Sequence, residues 1–387
     1  MDGRATALLF SGLFTAEIQA CQTHRPSAIT TVNSGHSALF DPRDHWERMD
    51  KMTNGLARHQ SMRALVCDAI TDDLSGVGIR EMPVPEPGPG QALVRVSAAS
   101  VNFVDILLCQ GKYQLKLEPP FTPGMNLVGE VVALGDGAEG PAVGSQVVAA
   151  IRHGAFAEYA LAEAASLEPL PAALGLAEAA AYPSAYLTAY VSLVRRANLQ
   201  AGETVLVHGA SGGTGLATVD LAKSLGATVI ASSAGDAKLK VLGEYGADHL
   251  VNITGGFADQ VKALTDGRGA DVIYDPVGGD VFDESTRCIN FDGRLLVIGF
   301  TSGRFATART NHALIKGYSI VGVRAGEYGR RFPERGRENR RAIWGLADSG
   351  RIRPRVHAEL PFEEVLAGFE MLRRREVIGK VVIRLEA

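Results

Sequence analysis

Residues 205–215 read VLVHGASGGTG. A run of small apolar residues drives into a cluster of glycines, which a backbone needs where it turns tightly or lets a ligand come close. Set against the dinucleotide fingerprint G-x-G-x-x-G, the chain offers Ala210-x-Gly212-x-x-Gly215, with Ser211, Gly213 and Thr214 filling the turn. Gly212 lets the backbone approach a pyrophosphate, and Gly215 lets the next helix pack closely on the strand. The helix N-terminus, with free N–H groups and the positive end of the dipole, holds the phosphates. Ala210 replaces the first glycine and is small enough for the turn. The other reading is a tight strand–helix turn without a ligand.

The next strand bears on which dinucleotide. NAD sites usually place a carboxylate at its end, about 20 residues on, to hold the ribose 2′-OH. Here the strand ends Ala231-Ser232-Ser233, and Lys238 follows. Small hydroxyls with a cation suit a 2′-phosphate, so NADPH is favoured over NADH. Lys238 also reads as an exposed helix lysine. Asp236 is close but lies beyond the expected strand end.

These residues need a scaffold. From residue 186 to 310, strands TVLVHG, TVIASS, HLVN, DVIYDP and RLLVIGF alternate with helical stretches, among them TGLATVDLAKSLG, AKLKVLGEYG and GDVFDESTRCI. A further helix, SAYLTAYVSLVRRAN, precedes the first of these strands. That alternation makes an α/β unit with a doubly wound parallel sheet. Residues 62–185 differ: short β-runs such as ALVRVSAAS and GEVVALG are broken by Gly and Pro, as in MPVPEPGPG. They predict an irregular, mostly antiparallel β-rich domain. Residues 311–387 add helix and a closing strand, GKVVIRL, expected to complete the edge of the parallel sheet and return to the β-rich domain. Residues 1–61 lack sustained periodicity and read as an extension: a disordered tail or upstream mis-start with Met62 the natural beginning, a targeting segment, or folded structure.

Composition narrows the class. A chain of 387 residues exceeds what one core usually organises. Apolar residues at 46% and charged residues at 21% are ordinary for a soluble globular enzyme. A net charge of −4 gives no basic excess for nucleic acid. Residues 324–341 are arginine-rich, but Glu327, Glu334 and Glu338 interleave, so they read as a solvated face. No apolar run approaches the roughly 20 residues that span a bilayer. The cysteines, Cys21, Cys67, Cys109 and Cys288, form no CxxC pair, which fits a reducing cytoplasm.

The segments VNFVDILLCQGKY, PFTPGMNLVGEVVALG, VHGASGGTG, YDPVGGDVF and GRLLVIGFTSG, in that order, resemble the zinc-independent quinone oxidoreductases of the medium-chain dehydrogenase/reductase superfamily. The resemblance runs from about Met62 to Leu385. It implies a GroES-like β-rich catalytic domain, a Rossmann domain, an active site in the cleft between them, NADPH, and commonly a homodimer. Zinc-dependent relatives carry a catalytic Cys where this chain has Asn102, and Gly-His-Glu where it has Gly124-Met125-Asn126. The structural four-cysteine lobe is also missing, so no metal site is expected.

Without a metal Lewis acid an alkoxide loses its stabiliser, whereas a quinone or activated enone can take hydride directly. Positions matching the family then imply roles. Asn102 hydrogen-bonds an acceptor carbonyl or the nicotinamide ribose. Tyr113 orients the acceptor or donates a proton, or else packs the cleft. Asp105 fixes the local loop or does acid–base work. Thr188 approaches the nicotinamide or its phosphates, Gly299, Phe300 and Thr301 lie beside the nicotinamide, and Gly379-Lys380 forms a cofactor-side turn. The chain departs from the family where Asn126 replaces a usual Glu and where Ile253 replaces a cofactor-side Tyr. The expected activity is NADPH:quinone reduction. Reduction of an enone or 2-enoyl thioester is the alternative. A reading of another class is an NADPH-binding sensor or RNA-binding protein without catalysis.

Overall fold

The structure is a computed structural model that describes residues 61–385. The reading of residues 1–61 therefore lies outside the described residues, Ser61 apart.

A hairpin of β1 (Ser61–Cys67) and β2 (Val77–Pro83) opens the fold. Strands β3 (Gln91–Ser100), β4 (Asn126–Leu134), β5 (Gln146–Ala150), β6 (Tyr159–Glu163) and β7 (Glu168–Pro169) then form an antiparallel sheet. Its core is apolar: Val94, Val96, Leu127, Val131 and Phe156 are buried together. Helical pattern is sparse in this stretch of sequence, and one short helix, α1 (Phe103–Cys109), follows β3.

Helix α2 (Leu176–Tyr190) joins the two sheets. The sequence places a helix from Ser184, but it begins eight residues earlier, at Leu176, with Pro183 inside. Alanine-rich LAEAAAY is a strong helix former, and burial of its small side chains outweighs the hydrogen bond that proline removes. The helix ends by widening into i→i+5 turns over Val191–Arg196, where the Ala197 N–H reaches the Ser192 carbonyl at 2.8 Å. Its alanines let both sheets approach closely, and one core cluster contains Val128 and Val148 of the first sheet with Val205 and Val229 of the second.

The second sheet is parallel, in the order β10 (His249–Asn252), β9 (Thr228–Ser233), β8 (Thr204–Val207), β11 (Ala270–Asp275), β12 (Ile289–Val297), β13 (Ser319–Gly322). All four residues of β8 are buried, as expected for a strand covered on both faces. Helices α3 (Gly213–Ser224), α4 (Asp236–Glu244), α5 (Ala258–Leu264) and α6 (Gly279–Ser285) make the crossovers. The chain runs from β8 to β9 on one side and later to β11 on the other, so the end of β8 is the switch point where such sheets bind ligands.

Helices α7 (Thr310–Lys316), α8 (Ala325–Arg331) and α9 (Pro333–Asp348) flank β13. The arginine-rich stretch lies here, and Arg330 and Arg331 both bond Glu327, at 3.1 and 2.9 Å. The chain then returns to the first sheet. Strand β14 (Val356–Pro361), helix α10 (Val365–Arg373) and strand β15 (Lys380–Arg384) close it, with β15 antiparallel to β3. Among the described residues no helix is long and apolar enough to cross a membrane.

Candidate functional site

A cleft and the grooves continuous with it, about 2210 Å³ in all, run between the two sheets. The glycine turn forms one wall. Gly209 turns the chain at φ 55°, and Gly212 caps α3 in extended conformation. A Cβ on Gly215 would lie 2.2 Å from the Gly209 carbonyl oxygen, so helix and turn touch through backbone. Gly212 differs: a Cβ there would meet only that oxygen, at 3.4 Å, and its open side faces the cleft. Space above Gly212 beside unpaired first-turn N–H groups fits a pyrophosphate. Ala210 and Gly215 do not line the cleft; they build the turn that Ser211, Gly212, Gly213 and Thr214 present to it.

The start of β15 clamps this turn. The Gly379 N–H bonds the Ser211 carbonyl at 2.9 Å. Gly379 sits at φ 93°, and a Cβ there would fall 2.3 Å from the Arg355 carbonyl oxygen. The Lys380 stem crosses Gly213, where a Cβ would lie 2.4 Å from Lys380 Cδ.

At the end of β9 the two serines part company. Ser233 lines the cleft, 3.2 Å from Ser211 through their hydroxyls. Ser232 is wholly buried and does not. Its hydroxyl lies 2.8 Å from His208 Nδ1, so the expectation that it holds a 2′-phosphate is corrected: successive strand side chains face opposite ways. Lys238 lines the cleft and donates to the Arg375 carbonyl. Burial, with Arg375 nearby, lowers its pKa. Arg375 is a cleft residue that sequence reasoning missed; it sits at φ 57° and bonds the Thr301 carbonyl at 3.2 Å. The run Arg373-Arg374-Arg375 ahead of GKVV was its only signal.

His208 is locked between Ser232 and Ser285, the latter at 2.9 Å from Nε2. Burial pushes its pKa down to about 3. An unfolded chain takes up this proton near pH 6.5, whereas the folded one does not until about 3. The stability contribution is therefore complete above about pH 6.5 and lost as pH falls, by at most roughly 1.4 kcal/mol per pH unit. Urea unfolding between pH 7 and 4.5 should show a shallower decline in His208→Gln than in the native protein; parallel declines would refute this.

Beside the glycine turn lies a buried polar cluster. Asp105 is fully buried and accepts from the Asn102 backbone at 2.8 Å and the Gly124 backbone at 3.2 Å. It does not line the cleft; it positions α1 and Asn102. The Asn102 amide nitrogen donates to the Ser100 carbonyl at 3.0 Å and to Asp105 at 3.3 Å. Its oxygen accepts from Lys380 at 2.5 Å and from Asn126 at 3.4 Å. Both N–H groups of Asn102 are thus spent inward, which leaves none for an acceptor carbonyl. Asn126 also donates to Ser100 Oγ at 3.0 Å and accepts from Ser184.

Lys380 therefore belongs to this cluster as well as to the glycine turn. Burial lowers its pKa to about 8, against the pull of Asp105. Burial raises Asp105 to about 6, opposed by its backbone hydrogen bonds and by Lys380.

Tyr113 lines the cleft and packs against the first core at once. Thr188 lines it too, with its hydroxyl bonded to the Ser184 carbonyl at 2.8 Å. Gly299, Phe300 and Thr301 line it as well, held by the Thr301 N–H on the Pro276 carbonyl at 3.1 Å. Phe300 meets Phe305 edge-on at 4.8 Å. Among the described residues no three His, Cys, Asp or Glu side chains gather to hold a metal ion.

Comparison with known proteins agrees with this architecture. Residues 88–172 match the alcohol dehydrogenase GroES-like domain, and residues 213–338 match the zinc-binding dehydrogenase family. The quinone oxidoreductase-like protein 2 homolog of Nematostella vectensis is 37% identical over 84% of this chain and 89% of its own length. A probable oxidoreductase from Mycobacterium abscessus, 34% identical, superposes with a TM-score of 0.75 over 84% of this chain and 99% of its own. Mycobacterial Rv1454c, solved in complex with NADPH, is 28% identical with a TM-score of 0.78 over 84% of this chain and all of its own, 100%. The chain belongs to the medium-chain dehydrogenase/reductase superfamily, in its quinone oxidoreductase-like group, with an NAD(P)-binding oxidoreductase fold.

Proposed function

We propose that the chain reduces quinones and related conjugated carbonyl acceptors with NADPH and without a metal ion. The observation that carries this reading is the lining of one cleft, which brings Ser233, Lys238 and Arg375, a hydroxyl and two cations suited to a 2′-phosphate, together with Lys380 and the apolar side chains of Tyr113, Met125, Leu187 and Phe300. NADPH is held by the turn at Ser211 to Thr214, and bound there it supplies hydride. The chain's own residues hold the acceptor flat against aromatic and aliphatic walls, exclude water, and set an ammonium beside the oxygen that gains charge. Asn102 and Met125 stand where zinc-dependent relatives carry metal ligands, so activation falls to that ammonium. The complex of Rv1454c with NADPH supports the cofactor assignment for a related fold.

A cytoplasmic homodimer belongs to the same reading. The cysteines at 67, 109 and 288 are free thiols, and exposed Leu314, Ile315 and Phe291 lie near the edge strand β13. Light scattering checks the dimer.

The functional test is NADPH oxidation followed at 340 nm with quinones, enones and enoyl thioesters, repeated with NADH and with a chelator. Chelator-insensitive quinone turnover with NADPH preferred is expected. Turnover of thioesters alone would move the chain to the enoyl reductases. No turnover beside measurable NADPH binding would refute catalysis.

A further inference from the structure

We propose that Lys380 is the proton donor to the reduced acceptor. This rests on the reading above, in which a reduced nicotinamide delivers hydride to a quinone or conjugated carbonyl.

The geometry singles out this side chain. Lys380 opens β15 and lies between the dinucleotide turn and the N-terminus of α1. Its stem fills the space over Gly213, which leaves the ammonium little freedom. An ammonium has three N–H bonds. Two are committed, to the Val101 carbonyl at 2.8 Å and the Asn102 oxygen at 2.5 Å. The third remains on a residue that lines the cleft. Asn102 has spent both its N–H groups inward, so Lys380 is the donor that this cluster still offers an acceptor.

Its neighbours leave the charge available. Asn126, where relatives usually carry Glu, is neutral, as are Ser100 on β3 and Ser184 on α2. Arg355 meets β15 through its backbone carbonyl, which accepts from the backbone N–H of Lys380 at 3.0 Å. Asp105 is the carboxylate whose field reaches Lys380, and it does so across Asn102. Asn102 is thus held with its nitrogen toward the carboxylate and its oxygen toward the ammonium. Burial keeps the Lys380 pKa near 8, so the group gives up a proton readily around neutral pH.

The step balances. Hydride brings two electrons to the acceptor, and the carbonyl π pair moves onto oxygen. One Nζ–H bond breaks with its electron pair left on nitrogen, and an O–H bond forms. The product is a hydroquinone or an enol, and the neutral amine regains a proton from solvent through the cleft.

The test uses the full-length protein. Lysine 13Cε resonances of labelled protein without cofactor, followed from pH 6 to 11, should include one that titrates near 8. That resonance should vanish in Lys380→Met and shift to lower pH in Asp105→Asn, because removing the carboxylate removes a charge that favours the ammonium. Single-turnover reduction of a naphthoquinone at saturating NADPH should fall above about pH 8 in the native protein. In Lys380→Met it should be roughly 100-fold slower and flat with pH. Lys380→Arg keeps the cation without a proton to give and should also be slow, and Lys380→Gln serves if the methionine variant does not fold. Fluorescence titration gives the NADPH Kd of each variant.

A Lys380→Met protein that keeps the native rate and alkaline limb overturns the proposal alone. So does a loss confined to NADPH Kd, or an alkaline limb that disappears in Tyr113→Phe instead. Native protein that turns over no acceptor at any pH overturns the proposal together with the reading beneath it.

Discussion

Gly215→Ala should cost this protein both stability and its dinucleotide, whereas Gly212→Ala should cost mainly the dinucleotide. The contrast follows from where each new methyl group points. At Gly215 it would sit 2.2 Å from the Gly209 carbonyl oxygen and 2.7 Å from Ala210 Cα, both backbone atoms. Neither can rotate away, so α3 must lift off the turn. Overpacking of this kind costs about 1–3 kcal/mol or more. Thermal unfolding should show a lower Tm, by about 2–4 °C for each kcal/mol. The lifted helix also carries its N-terminal N–H groups away from the phosphates. At Gly212 the methyl meets only one atom, at 3.4 Å, and otherwise enters the cleft. Its Tm should fall only by the smaller amount that alanine loses to glycine at an N-cap, while NADPH affinity falls roughly 100-fold, about 2.7 kcal/mol. NADPH binding at native strength in Gly212→Ala would show that the pyrophosphate does not cross this residue.

The second large effect concerns the choice of cofactor. Lys238→Ala and Arg375→Ala should each weaken NADPH by about 10- to 100-fold and leave NADH within about threefold. A hydrogen bond to a charged group contributes roughly 1.5–3 kcal/mol, and NADH lacks the phosphate that would receive it. The two residues touch, since Lys238 donates to the Arg375 carbonyl, so the double variant should fall short of the summed single effects. Arg375→Ala keeps that carbonyl and leaves Lys238 in place. Titrations of both cofactors measure this; equal losses for NADPH and NADH would place the 2′-phosphate elsewhere.

Much of this site was legible in the chain. The glycine turn was, because strand, glycines and helix are consecutive and backbone sterics act over a few residues. The parallel sheet was, because both of its faces are covered and its strands read as apolar runs between helices. Some signals failed for identifiable reasons. The helix was read from Ser184, yet the alanines before Pro183 already belong to it and pack in the core between the sheets. Ser232 and Ser233 are chemically alike, and a strand buried on both sides shows no alternation to tell which hydroxyl faces the ligand. Asn102 matched a family position, but nothing local says that both its N–H groups turn inward.

By itself the sequence determined the order of strands and helices, the glycine-lined turn and the residue types offered to a dinucleotide. These follow from steric and hydrophobic patterns among near neighbours. Only the tertiary structure decided which of those residues meet. Lys380 reaches Asn102 across 278 positions of chain, and Lys238 reaches Arg375 across 137. Those meetings depend on the register of β15 against β3 and on the clamp of Gly379 on Ser211. Long-range pairing is set by the closing of the whole fold, and no short stretch of sequence encodes it.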